Sequence, residues 1–292
     1  MEISALRYAV FGGDARQSFL TEILRRKGLT VDSFGVPDQP DTGSWKKILE
    51  RADCLFLPLP ITRDGVRLFC EDREDIVPVR LDRFFDCAGK ILFAGRIPPS
   101  FRASVSASGG RIYDYFDSES LQILNALPTA EGAIFTAMKE LPVTLCGACI
   151  AVIGYGRIGR LLTDRLVALG SSVTVYERKE DRHPYIRFSK AAASPFFDAG
   201  GKKLLLSLPR DCRVLFNTVP EPIFTREVLE FFPKNCLFVD LASPPGGLDP
   251  VAASELNINR VWATALPGKY APESAASYLA EEALSIIEKA TL

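Results

Sequence analysis

The chain has one histidine, two methionines and two tryptophans among 292 residues, and almost no net charge, with 35 basic against 36 acidic side chains. Each scarcity excludes something. A single histidine, His183, set before Pro184 in a polar stretch, is read as a surface residue, and its solitude removes most histidine-base and metal mechanisms. The even charge leaves no electrostatic footprint for nucleic acid. No apolar run reaches the roughly 20 residues that span a bilayer. Met1-Glu2-Ile3-Ser4 lacks the charged start and apolar core of a secretory signal, so a cytoplasmic protein with no membrane contact is expected. The seven cysteines are an odd number in a large chain, which fits reduced thiols better than a disulfide framework. Cys146 and Cys149 have C-x-x-C spacing, but there is no second pair and Cys149 enters an apolar strand, so they are read as ordinary thiols.

What remains is an ordinary globular balance, 47% apolar and 24% charged, in a chain long enough for two cored domains. Its organising stretch is residues 149 to 179. The apolar run Ile150 to Ile153 has strand length, and Gly154, Gly156 and Gly159 follow at G-x-G-x-x-G spacing before the helical pattern Ile158, Leu161, Leu162, Leu166, Leu169. Gly154 permits the turn, Gly156 lets backbone approach a pyrophosphate, and Gly159 lets helix and strand pack closely. Arg157 and Ile158 open the helix whose N-terminal N–H groups would receive the phosphates. Gly170 closes that helix, and Val173 to Tyr176 leads to Glu177, about 20 residues beyond the glycines, where an acid binds a ribose diol. Arg178 and Lys179 suit a 2′-phosphate, so NAD or NADP is expected. Asn217-Thr218-Val219-Pro220 and Asp240 with Ala242 and Ser243 end later strands on the same side, and Pro267 and Gly268 are also expected at the nucleotide.

Displaced by 142 positions, the N-terminus matches this unit: Tyr8 to Gly12 lies on Ile150 to Gly154, Gly28 on Gly170, and Val31 and Phe34 on Val173 and Tyr176. Leu55 to Pro60 parallels Leu215 to Pro220, and Ile91 to Gly95 parallels Leu237 to Leu241. The first copy carries Asp14 in place of Gly156 and Gln17 in place of Gly159, which excludes a dinucleotide there. Its strand ends instead suit a substrate crevice, with Arg16 and Arg96 as carboxylate anchors. The competing reading makes Asp14 a helix cap and Arg16 a solvated residue. Asn125 to Gly132 leads into a linker helix over about residues 128–140, with Pro128 in its first turn. Asn125 and Thr129 are candidate substrate contacts there, and Glu131 is either a proton acceptor or a first-turn acid favouring the helix dipole. Lys269 sits in a Pro-Gly loop as a third anchor, ahead of a final helix from Glu273 to Lys289.

The expected fold class is α/β, two doubly wound parallel-sheet domains, the second an NAD(P)-binding Rossmann domain. The expected division is 1–124 for the substrate domain, 125–145 for the linker helix and 146–270 for the nucleotide domain. Residues 271–292 form a helix packing back on the first domain.

Four segments carry a resemblance to a family: Ala9 to Gln17, Asn125 to Ala133, Gly154 to Gly159, and Ala265 to Glu273. Together they resemble the A subunits of dipicolinate synthase from spore-forming bacteria. That resemblance implies oxidation of a dihydrodipicolinate-type dicarboxylate to dipicolinate, with a partner B subunit of flavoprotein-like fold, in the mother-cell cytoplasm. A homo-oligomer is also expected. Glu177 departs from the family's usual smaller residue before a basic one, which favours NAD modestly and counts against an NADP preference, with both nucleotides left open. Asp14 or Glu131 is the candidate base, although gain of aromaticity makes a strong base unnecessary. Two other classes remain. A 2-hydroxy acid or alanine dehydrogenase shares the layout, but the hydroxy-acid form needs a late histidine that is missing here. A non-catalytic nucleotide-sensing subunit would bind dinucleotide without turnover.

Overall fold

The structure, a computed structural model, describes residues 2–71, 77–196 and 208–291. The chain forms two compact units, Met1–Asn125 with Pro267–Leu292, and Ala126–Leu266.

The first unit contains β1 (Arg7–Phe11), α1 (Ala15–Arg26), β2 (Thr30–Phe34), α2 (Trp45–Arg51), β3 (Cys54–Phe56), β4 (Ile91–Ala94), α3 (Pro99–Ala107) and β5 (Arg111–Asp114). All four pairings are parallel, in the order β2-β1-β3-β4-β5. The strands are short apolar runs because both sheet faces are covered, which removes the alternation expected of a half-exposed sheet. One face packs Tyr8, Val10, Phe56 and Phe93 against Leu20 and Leu24 of α1. The other packs Phe11, Leu55 and Leu92 against Ile48, Phe84 and Phe101.

The helix α4 (Glu119–Glu140) is longer than the sequence predicts, beginning at residue 119 rather than about 128. Pro128 therefore lies inside it and not in its first turn. Its missing N–H deprives the Leu124 carbonyl of a donor. Yet Leu121, Ala126, Ala130, Ala133 and Ala137 are all buried at helical spacing on both sides of it. Burial on both sides of the proline, of Leu121 in the core of the first unit and of Ala130, Ala133 and Ala137 in that of the second, outweighs the local break, which a proline signal read alone does not reveal.

The second unit contains β6 (Cys149–Ile153), α5 (Arg157–Ala168), β7 (Ser172–Tyr176), α6 (His183–Phe188), β8 (Ala192–Ser194), β9 (Cys212–Asn217), α7 (Arg226–Leu229), β10 (Leu237–Asp240), α8 (Pro250–Glu255) and β11 (Arg260–Trp262). Its parallel sheet runs β11-β10-β9-β6-β7-β8, the doubly wound order of dinucleotide-binding domains. The duplication read from sequence is visible strand by strand. Gly12 N–H donates to Phe34 O at 2.9 Å as Gly154 N–H donates to Tyr176 O at 2.8 Å, and β3 and β4 correspond to β9 and β10. The second copy adds β8 at its edge. Two differences from the sequence reading concern the C-terminal region. The last strand, which the sequence suggests runs from Arg260 to Ala265, stops at Trp262, and the Pro-Gly segment is a short helix, α9 (Leu266–Tyr270).

Helix α10 (Pro272–Thr291) buries Ala276, Leu279, Ala280, Ala283 and Ile287 in the core that holds Leu20 and Leu24. This apolar stripe is the one visible in the sequence as helical periodicity. No helix among the described residues is long and apolar enough to cross a membrane.

Candidate functional site

In the second unit the β6–α5 turn is built so that glycine is required at two points and useful at a third. Gly154 has φ +88°, and a Cβ there would lie 2.7 Å from Thr218 Oγ1. At Gly159 a Cβ would lie 2.1 Å from the Gly154 carbonyl oxygen, a backbone atom that cannot rotate away. At Gly156 it would meet nothing within 4 Å. Gly156 is thus not needed for packing, and its bare surface faces open space at the N-cap of α5, where the helix dipole favours an anion.

Beside this turn lies a pocket of about 260 Å³, lined by Gly154, Tyr155, Gly156, Glu177, Arg178, Lys179, Arg182, Phe196, Thr218, Val219, Pro220, Glu221 and Ile223. Eight of these residues are expected from sequence: the two glycines, the Glu177-Arg178-Lys179 run and the Thr218-Val219-Pro220 run. Five are not. Tyr155 lies inside the glycine motif, whose spacing says nothing of its own contacts. Arg182 is brought back by a short 3₁₀ turn at Glu180–Arg182, while Phe196, Glu221 and Ile223 carry no motif. Arg157 and Ile158 open α5, as expected.

Glu177 is where the structure departs most from the sequence reading. Its residue exposure is 5%, and both carboxylate oxygens are engaged. Oε2 accepts from Tyr155 N–H at 2.7 Å and from Arg182 Nη1 at 3.3 Å, and Oε1 accepts from Lys179 N–H at 2.9 Å. Glu177 therefore ties the glycine turn to the end of β7 while it lines the pocket. His183, expected at the surface, is half-buried, with Nε2 2.9 Å from the Glu177 carbonyl oxygen. Glu177→Ala strips two backbone donors of their acceptor and is expected to cost about 2 kcal/mol. Urea unfolding of nucleotide-free protein checks this, and an unchanged midpoint would refute it.

The next loops are held by a polar lock. Asn217 Nδ2 donates to Asp240 Oδ1 at 2.8 Å and to Val219 O at 3.0 Å, while Asn217 Oδ1 accepts from Val219 N–H. Asp240 also accepts from Ala242 N–H at 3.1 Å and Gly247 N–H at 2.9 Å. Asn217 is fully buried and Asp240 nearly so, so these two shape the loops that carry Thr218 and Ser243. Trp262 Nε1 donates to Ala242 O at 3.0 Å and steadies the same loop from β11.

In the first unit Asp14 and Arg16 form a bidentate pair. Arg16 Nε donates to Asp14 Oδ1 at 2.8 Å and Nη2 to Oδ2 at 2.7 Å, with both side chains 6% exposed. Asp14 is the N-cap of α1, accepting from Arg16 N–H, and Arg16 also donates to Leu59 O. The cap reading of Asp14 stands, whereas Arg16 is buried and not solvated. Gln17, standing where the second unit has Gly159, is fully buried and donates to Leu57 O. Gly268, expected at the nucleotide, instead lies so close to this pair that a Cβ would be 2.9 Å from Asp14 Oδ2, and Pro267 precedes it in α9.

The remaining candidates are dispersed. Arg96 is exposed, in the left-handed region at φ +55°, with its guanidinium 5.7 Å from the centre of the Phe116 ring. Lys269 is exposed on α9. Asn125 lines a cavity of about 10 Å³ with Leu59, Tyr115 and Leu279. Thr129 is half-buried on α4, and Glu131 is exposed and ion-paired with Arg165 at 3.2 Å. Among the described residues no group of His, Cys, Asp or Glu is arranged to hold a metal ion.

A family model described as the N-terminal domain of the dipicolinate synthase A subunit matches residues 7–116. Among solved structures, the A subunit of dipicolinate synthase from Bacillus halodurans superposes with a TM-score of 0.87 at 23% identity, over 98% of this chain and 99% of that one. The A subunit of the Bacillus subtilis synthase superposes with a TM-score of 0.80 at 26% identity, over 97% and 96%. In sequence, the dipicolinate synthase A subunit of Bacillus subtilis strain 168 is 30% identical over 292 residues, 95% of this chain and 94% of that protein. Identity of that level across nearly the whole of both chains makes this protein a member of the family of dipicolinate synthase A subunits.

Proposed function

We propose that this chain is an NADP-dependent oxidoreductase subunit that oxidises a dihydrodipicolinate-type intermediate to dipicolinate, acting with a B subunit. The observation that carries the reading is the fitted nucleotide turn of the second unit in a member of this family. Gly156 leaves open the space a pyrophosphate needs, at the N-terminus of a twelve-residue helix. A nicotinamide nucleotide bound there supplies a hydride acceptor.

The choice of NADP rests on how the adenosine end is furnished. Glu177 already accepts three hydrogen bonds from the chain itself, so of a carboxylate's roughly four acceptor sites about one is left for a ribose diol, which would use two. Beside it Arg178 and Lys179 line the same pocket, Arg178 with its guanidinium 3.9 Å from Glu221, while Arg182 is paired with Glu177 itself. Charge-assisted hydrogen bonds to phosphate are the strong use of such groups.

On the substrate side, Arg96 and Lys269 are the exposed cations suited to the two carboxylates. Asp14 and Arg16 support them as a buried unit, and Asn125 and Thr129 remain polar contacts along α4. Glu131, held by Arg165, is not assigned a proton. Loss of hydride and a proton from a dihydropyridine ring produces an aromatic product, so orientation of the dicarboxylate is the main demand on the protein.

Two measurements test the reading. Absorbance at the reduced-nicotinamide band is followed when the chain, with and without its B subunit, meets enzymatically generated dihydrodipicolinate-type intermediate and either nucleotide. Nucleotide reduction with dipicolinate formed is expected. Tight nucleotide binding without reduction in every combination would replace catalysis with a nucleotide-sensing role. For selectivity, Arg178→Ala is expected to weaken NADP binding about tenfold, a loss of about 1.4 kcal/mol. NAD binding should change less than about threefold, or about 0.65 kcal/mol. Equal losses for both nucleotides would overturn the 2′-phosphate assignment.

A further inference from the structure

The sheet of the second unit gathers three thiols that lie far apart in sequence. β6, β9 and β10 are neighbours, and each begins at a cysteine or directly after one: Cys149 opens β6, Cys212 opens β9, and Cys236 precedes β10. Cys149 and Cys212 are register partners across the β6–β9 ladder. Cys236 Sγ donates to Cys212 Sγ at 3.7 Å. Cys212 and Cys236 are each 1% exposed, and Cys149 is half-buried. The cluster sits at the strand starts, the opposite edge of the sheet from the nucleotide pocket, so the function proposed above makes no use of it.

We propose that Cys212 and Cys236 form a redox-active dithiol, which a hydroperoxide converts to a disulfide, with Cys149 as the alternative partner for Cys212. Cys212 is the acceptor of the Cys236 Sγ contact and the middle thiol of the three, which suits it to act as the nucleophile. Hydrogen bonding from Cys236 holds its thiol below the usual range, while the same contact and burial push Cys236 up. Burial pushes Cys149 up to about 11. The Cys212 thiolate attacks the peroxide, the O–O bond breaks, and Cys212 becomes a sulfenic acid as the distal oxygen leaves as water. Cys236 Sγ then attacks Cys212 Sγ, the S–O bond breaks, and a second water leaves. Two thiols give up two electrons and two protons, and hydrogen peroxide becomes two waters. The sulfurs must close from 3.7 Å to the roughly 2.05 Å of a disulfide, between strands that are neighbours in the sheet.

The molecule contains its own comparison. Cys54 and Cys87 are equally buried, and burial pushes them up to about 12 and about 11, with no thiol among the described residues hydrogen-bonded to either. Burial alone therefore predicts no difference between the two sets, whereas the dithiol predicts a large one.

The test uses the full-length reduced chain, treated with hydrogen peroxide under native conditions, quenched with catalase, unfolded, alkylated and mapped by peptide mass spectrometry. The expected result is a cross-linked peptide pair containing Cys212 and Cys236, lighter by two hydrogens and reversed by dithiothreitol. Cys54 and Cys87 should remain alkylatable, with their thiols lost at least about tenfold more slowly. In Cys236→Ser the cross-link should move to Cys149 and Cys212, and in Cys212→Ser no cross-link among the three should form. Full alkylation of Cys212 and Cys236 after treatment would overturn the proposal, as would a cross-link that appears only after unfolding. Mapping of the parent chain decides the matter even if a variant does not fold.

Discussion

Replacing Gly159 by alanine is expected to weaken nucleotide binding by at least about 100-fold, or about 2.7 kcal/mol. The added methyl would sit 2.1 Å from the Gly154 carbonyl oxygen and 3.0 Å from its carbon. Both belong to the backbone of the turn, so relief requires α5 to move away from β6. The N–H groups at the start of α5 then leave the position from which they would receive a pyrophosphate. Gly156→Ala separates this effect from a general loss of stability. Its φ of −81° is ordinary for alanine and its Cβ meets no protein atom, so its unfolding midpoint should stay within about 0.5 kcal/mol of the parent. Its methyl nevertheless stands in the approach to the turn, and nucleotide affinity should fall. Calorimetric titration with NADP and urea unfolding of both variants decide the point. A Gly159→Ala chain that binds as the parent does would remove the pyrophosphate from this turn.

The two glycines also show what is legible in the sequence and what is not. Local spacing specifies local geometry, so a strand, a G-x-G-x-x-G turn and a helix can be read directly, and the strand ends at Asn217 and Asp240 follow from periodicity. The doubly wound class follows from strands alternating with helices. Spacing does not say what a side chain has already bonded to. Glu177 stands at the expected position in the pocket lining, yet it also accepts from the turn's own Tyr155 N–H at 2.7 Å, a contact that spacing does not announce. The thiol cluster is hidden for another reason. Cys149, Cys212 and Cys236 meet because strand order places β9 between β6 and β10, a non-local fact that no C-x-x-C search contains. The first turns of α4 escape a reading that takes Pro128 as a boundary, because the apolar stripe runs through the proline from Leu121 to Ala137.

The Asp14–Arg16 pair supports the second large expectation, because the two readings of Arg16 predict different measurements. As a buried partner, Arg16 balances a carboxylate that is only 4% exposed and joins it to the Leu59 carbonyl, while Gly268 lies against both. Arg16→Met leaves that carboxylate without its cation, and breaking such a pair costs about 3–5 kcal/mol. Asp14→Asn keeps a good N-cap and should cost less. The double variant, with both charges gone, should recover part of the Arg16→Met loss, which a double-mutant cycle in urea measures as coupling. If the pair is structural, the folded fraction of Arg16→Met at low temperature should retain its KM for the dicarboxylate proposed above as substrate within about threefold, or about 0.65 kcal/mol. A KM raised more than about tenfold with the unfolding midpoint unchanged would instead make Arg16 a substrate anchor. The geometry favours the first outcome, since a guanidinium already engaged on Nε and Nη2 by one carboxylate has few donors left for another.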